Sequence, residues 1–319
     1  MAVKFCIRLR TSRNKKPSPL PDSSAQEDGF SFKGSGVGTV ILVHGLTGTP
    51  NEMKGLGHFL NRQGYSVVCP RLANHGEPIE ILKNTKWQDC YQSVRETFFR
   101  IDEAKHPGPI FVSGLSMGAL LALLLAEEFP SRIAGVSCLS PTLFYDGWNT
   151  PWARHLLPLA YVTPLKHFFY FKEEPPYGIK NEAVRKRIHR YYEKASLHDI
   201  DQVAQYGYPY FPVSLLCELH LLVEYLSKRL QNITTPMQLI QAKDDDMTSV
   251  RNSMFIYDRV RSDPKELVFL YDSYHVITAD QERDTVAQKM ASFFDRLRDN
   301  LDLRRASLTQ GSFDAPQVS

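Results

Sequence analysis

The chain has 319 residues, 43% of them hydrophobic and 23% charged, ordinary values for a soluble globular protein that exclude collagen, coiled coil and wholesale disorder. Its 38 Lys and Arg against 35 Asp and Glu leave a net charge of only +3, too little to argue for a nucleic-acid partner. The length can bury a core that needs no disulfide or metal staple. Five cysteines (Cys6, Cys69, Cys90, Cys138 and Cys217) are scattered without a C-x-x-C pair, which predicts reduced thiols in a cytoplasmic protein and no zinc site.

From the N-terminus, Lys4, Arg8, Arg10, Arg13, Lys15 and Lys16 precede the first acid, Asp22. These charges interrupt every short apolar run, so no secretory signal is expected. Residues 1–34 read as a disordered basic arm, with at most weak peripheral contact to an anionic membrane at about 1 kcal/mol per basic residue. Apolar runs rich in Val and Ile then predict strands over 38–43, 66–69, 110–113, 133–139, 237–241 and 267–271. Helical stretches over 51–63, 87–103, 117–128, 252–259 and 281–297 lie between them. That alternation predicts an α/β fold: a mostly parallel sheet with helices on both faces.

Two segments need separate treatment. Residues 107–126 carry no charge and match a membrane span in length, but Pro107, Gly108, Pro109, Gly114 and Gly118 interrupt them. They divide into a strand, a tight turn and a buried helix that is apolar nearly all round. Between about 142 and 231 the alternation fails, and the sequence becomes rich in aromatics and Pro with a basic run at Arg185, Lys186, Arg187 and Arg190. So long a stretch is not expected to be a structureless loop, and it reads as a helical cap inserted into a domain spanning 35–298. Residues 299–319 read as a flexible tail.

The chemistry centres on Gly114-Leu115-Ser116-Met117-Gly118, between a predicted strand and a predicted helix. A G-x-S-x-G there is a nucleophile elbow, whose sharp turn needs small residues on either side of the exposed serine. A serine needs a base oriented by a carboxylate, and in this chain order both follow later strands. His275 follows the 267–271 strand, and Asp244, Asp245 and Asp246 follow the 237–241 strand, with Asp146 as a competing acid. The run His44-Gly45-Leu46-Thr47-Gly48-Thr49-Pro50 follows the first strand. Its backbone can bring the Leu46 amide beside that of Met117 as an oxyanion hole. His44 and His75 read as structural.

These blocks, with Tyr274-His275-Val276-Ile277-Thr278-Ala279-Asp280-Gln281-Glu282, resemble the α/β-hydrolase superfamily, and within it the bacterial carboxylesterase and monoacylglycerol-lipase-like group of serine aminopeptidase S33 type. The resemblance covers about residues 37–298. It implies an α/β-hydrolase fold with a helical cap, and a triad of Ser116 as nucleophile, Asp245 as acid and His275 as base. The same resemblance puts the oxyanion amides on Leu46 and Met117. It also implies hydrolysis of a small-molecule ester or lipid through an acyl-enzyme, without cofactor or metal. Thioester hydrolysis, carbon–carbon cleavage, acyl transfer or a non-catalytic binding role are the alternatives on the same residues. Tyr274 stands where the group carries glycine, and is expected to narrow the pocket beside the base.

Overall fold

A computed structural model describes residues 29–104, 108–194 and 207–311. Most of the predicted basic arm, with Cys6, lies outside the described residues. Among the described residues nine strands occur in chain order: β1 Gly29–Phe32, β2 Thr39–Val43, β3 Ser66–Pro70, β4 Ile110–Leu115, β5 Ile133–Leu139, β6 Tyr170–Lys172, β7 Tyr210–Pro212, β8 Met237–Ala242 and β9 Lys265–Leu270. Seven form one sheet in the order β1-β3-β2-β4-β5-β8-β9. Within it only β1 runs antiparallel, pairing Gly29 with Pro70 and Phe32 with Val67.

The sequence assigns β1 to the N-terminal arm. Two alternate aromatics explain the difference: Phe30 and Phe32 pack on the core beneath the sheet, and Phe32 stacks on His58, while the backbone pairs with the edge of β3.

Two apolar cores lie on the two faces of the sheet. One is closed by α1 (Asn51–Arg62) and α9 (Arg283–Gly311). The other is closed by α3 (Trp87–Glu103), α4 (Met117–Glu128) and α7 (Val213–Ser227). Smaller helices are α2 (Ile79–Leu82), α5 (Leu157–Tyr161), α6 (Glu182–Lys194) and α8 (Arg251–Tyr257). Helix α4 is buried along its whole length from Met117 to Ala126, each fully buried leucine contributing about 1.5–3 kcal/mol. It stops at Phe129, whose φ of −127° is extended, as expected of a residue before proline. Among the described residues no helix is long and apolar enough to cross a membrane.

Two boundaries differ from the sequence reading. Helix α9 continues to Gly311 through the predicted tail, because no Pro or Gly interrupts the helix formers after Arg298. Within the predicted cap, α7 belongs to the body. Leu215, Leu219, Leu222 and Leu226 are buried, and the helix packs on α3 and α4 as the crossover to β8. Among the described residues, what rises over the sheet between β5 and α7 is α5, α6 and the antiparallel β6–β7 pair.

Candidate active site

Ser116 occupies the turn between β4 and α4 with φ 58° and ψ −118°, a conformation that costs a non-glycine residue about 1–3 kcal/mol. Its neighbours must be small. A Cβ on Gly114 would collide with the backbone of Gly118, and one on Gly118 with the carbonyls of Val43 and His44. The strained turn is held by Ser116 N–H donating to the Leu139 carbonyl at 2.9 Å.

The later strands bring two groups to this serine. Ser116 Oγ lies 3.1 Å from His275 Nε2. The other ring nitrogen, Nδ1, lies 2.9 Å from Asp245 Oδ2 and 3.1 Å from Oδ1. Asp245 is itself held by the amides of Met247 (2.9 Å) and Thr248 (2.8 Å) and by the Thr248 hydroxyl (3.0 Å). The carboxylate requires a proton on Nδ1, which leaves Nε2 as acceptor for the serine hydroxyl. Burial opposes the imidazolium, but the Asp245 carboxylate beside it, with Asp246 and Glu52 further out, outweighs that and holds His275 above its ordinary value.

The three consecutive acids separate by direction. Asp244 is exposed and pairs with Lys180 at 3.5 Å. Asp245 faces His275. Asp246 accepts the amides of His275 (3.3 Å) and of Gly178 in the cap (3.2 Å). The competing acid, Asp146, is spent elsewhere, taking the Ser249 amide at 2.8 Å and the Asn252 side chain at 3.0 Å. Asp280 ties the same region from the other side, accepting the amides of Lys180 (2.8 Å), Asn181 (2.7 Å) and Tyr274 (2.7 Å).

The loop after β2 is oriented by two buried histidines. His44 Nε2 accepts the Leu72 N–H at 3.1 Å, so Nδ1 carries the proton and donates to the Gly45 carbonyl at 3.0 Å. In a planar trans peptide the Leu46 N–H points opposite to that carbonyl. His75 Nε2 meets the Leu46 carbonyl at 2.7 Å, fixing the following peptide. Burial holds both imidazoles below their ordinary value.

Ser116 and His275 open on a cavity of about 330 Å³ whose walls include Leu46, Tyr145, Tyr177, Tyr192 and Phe211. A second cavity of about 370 Å³ adjoins it across Tyr145, Tyr177, Phe211 and Met247. Both volumes fall in the range of small-molecule sites.

A family model described as serine aminopeptidase, S33, matches residues 34–282. The chain belongs to this S33 family of α/β-hydrolases. Among its relatives, the carboxylesterase of Bacillus subtilis strain 168 is 28% identical over 273 residues, covering 84% of this chain and 96% of that protein. The thermostable monoacylglycerol lipase of Bacillus sp. strain H-257 is 29% identical over 255 residues, covering 80% and 89%. A solved structure reported for the metagenome-derived lipolytic enzymes LipS and LipT superposes with a TM-score of 0.68 at 25% identity, covering 88% of this chain and 99% of that one.

Within the S33 fold, Ser116, Asp245, His275, Leu46 and Met117 meet at one end of the sheet, and Asp146, Asp244 and Asp246 do not enter the relay. Tyr274 departs from its expected place. Its amide is drawn to Asp280 and its ring turns outward onto Trp148, with centroids 5.5 Å apart, leaving the cavity wall. Two residues were not legible in the sequence. Thr142, just after β5, places Oγ1 2.9 Å from Ser116 Oγ. Glu52, in the first turn of α1, lines the cavity. Neither lies in a motif: the loop after β5 carries Thr142 to Ser116, and Glu52 reaches the Gly45 amide from the first turn of α1.

Proposed function

We propose that the chain hydrolyses carboxylic esters, with apolar acyl esters and monoacylglycerol-like lipids as its substrate class. The observation that carries this reading is the continuous Asp245–His275–Ser116 relay, with contacts of 2.9 and 3.1 Å, at the floor of a cavity walled by aromatics. Its carboxylesterase and lipase relatives support the same reaction.

Ser116 Oγ attacks the ester carbonyl carbon as its proton passes to His275 Nε2. The oxyanion that forms is stabilised by the Leu46 and Met117 amides, each such donor being typically worth about 2.7–4 kcal/mol. The tetrahedral species collapses, the carbon–oxygen bond to the alcohol breaks, and the His275 proton goes to the departing alkoxide. Water, deprotonated by His275, then attacks the acyl-enzyme and releases the carboxylic acid with Ser116 restored. Asp245 fixes the imidazole tautomer and stabilises the imidazolium in both steps.

The test is turnover of p-nitrophenyl esters from two to sixteen carbons by the wild type and by Ser116→Ala. Turnover that the substitution reduces by at least about 1,000-fold is expected. Equal turnover by both proteins, or none by either, overturns the ester-hydrolase reading in favour of acyl transfer, carbon–carbon cleavage or binding.

A further inference from the structure

Glu52 is an acid in a place where a negative charge is costly. It sits in the first turn of α1, where acids are favoured by the helix dipole, but its side chain turns back under the loop that precedes the helix. Its Oε1 takes the Gly45 N–H. The other oxygen fills the space at Gly48, where any Cβ would overlap the carboxyl. The carboxyl thus bridges both ends of the segment Gly45 to Gly48, with Leu46 between them. Both the carboxyl and the nucleophile border Gly45: a Cβ there would lie 3.3 Å from Glu52 Oε1 and 3.6 Å from Ser116 Cβ.

We infer that Glu52 is a positioning residue for the reaction: its carboxyl clamps the Gly45 peptide and packs on Gly48, so that the Leu46 N–H is held toward the oxyanion. His44 fixes the Gly45 carbonyl and Glu52 fixes the Gly45 amide, so the two peptides flanking Gly45 are each held by one side chain. This inference rests on the ester-hydrolase reading.

The clamp has an electrostatic consequence. The titratable groups around Glu52 are His275 on the loop after β9, Cys69 on β3, and Glu173 and Tyr192 in the cap. Among the described residues no Lys or Arg forms an ion pair with it. Burial raises the Glu52 carboxyl to about 7, against the opposing pull of the Gly45 amide and His275. Its neutral form takes the amide without opposing the oxyanion. Its ionised form adds a negative charge that holds the His275 proton more tightly and repels the oxyanion.

The experiment compares wild type, Glu52→Ala and Glu52→Gln on p-nitrophenyl butyrate from pH 5 to 9, with Ser116→Ala as the control. Glu52→Ala is expected to lower kcat at least about 10-fold, a loss of about 1.4 kcal/mol, with KM within about twofold. Glu52→Gln keeps an oxygen for the Gly45 N–H without a charge. It is expected to restore kcat to within about threefold of wild type, with KM unchanged. The inference is overturned if Glu52→Ala keeps wild-type kcat, or if a folded Glu52→Gln loses as much kcat as Glu52→Ala. Should Glu52→Ala not fold, Glu52→Asp, which keeps the charge but draws the carboxyl back from the Gly45 N–H, is held to the same criterion in its place. Absence of Ser116-dependent turnover in the wild type would instead sink the underlying ester-hydrolase reading.

Discussion

Asp245→Asn separates charge and tautomer from shape. The asparagine can keep its oxygen toward the Met247 and Thr248 amides, which now bond to Oδ1 at 2.9 and 2.8 Å. Its amino group then faces His275 Nδ1 as a donor. That imposes the tautomer with the proton on Nε2, and the Ser116 hydroxyl loses its acceptor. The imidazolium formed in the transition state also loses its counter-charge. A unit pair separated by the 2.9 Å of the His275–Asp245 contact is worth about 6 kcal/mol at an effective dielectric of about 20, close to four decades of rate at about 1.4 kcal/mol per decade. The assay is kcat on p-nitrophenyl butyrate, with thermal unfolding to verify that the fold is retained. A loss of about 1,000- to 10,000-fold in a folded protein is expected. A loss below about 10-fold would mean that Asp245 neither orients nor charges the base, and the relay would need another acid.

Two further outcomes follow from the same geometry. Thr142→Val removes the hydroxyl 2.9 Å from Ser116 Oγ while keeping its volume; kcat should fall about 2- to 13-fold, as one hydrogen bond of roughly 0.5–1.5 kcal/mol would give, with little change in KM. Glu173, also lifted to about 7 by burial despite the Tyr192 hydroxyl bond, binds its proton more tightly folded than unfolded. Stability should therefore be greatest below about pH 5 for this group and fall as pH rises toward 7, by about 3 kcal/mol at most. Chemical denaturation of Glu173→Gln across that window should show a flatter pH dependence than wild type, and an unchanged slope would remove Glu173 from the account.

Much of this architecture was legible because its signals are local. The strand, turn and helix around Ser116 are contiguous, and the crowding that demands Gly114 and Gly118 acts within a few residues. His275 stood out by following the last strand. The choice of Asp245 over its two neighbours was not local, since spacing cannot say which of three consecutive side chains turns inward; that assignment came from the family resemblance. Helix α7 reads as part of the cap from sequence because aromatic composition changes gradually, whereas its packing against α3 and α4 depends on which face is covered. Strand β1 is not legible in the sequence because four residues carry little periodic signal, and its stability comes from pairing with β3. Thr142 and Glu52 were beyond reach, being ordinary residues until the strand ends converge.

The carboxylates Asp246 and Asp280 join the cap stretch from Gly178 to Asn181 to the loop bearing His275, and the Val276 amide returns a bond to the Gly178 carbonyl at 2.8 Å. For protein engineering this makes the roof and the base a single transplantable cassette. A roof borrowed from a relative to accept bulkier esters would have to bring its own root at this seam. If it did not, the new chamber would be gained while the imidazole drifted from the serine.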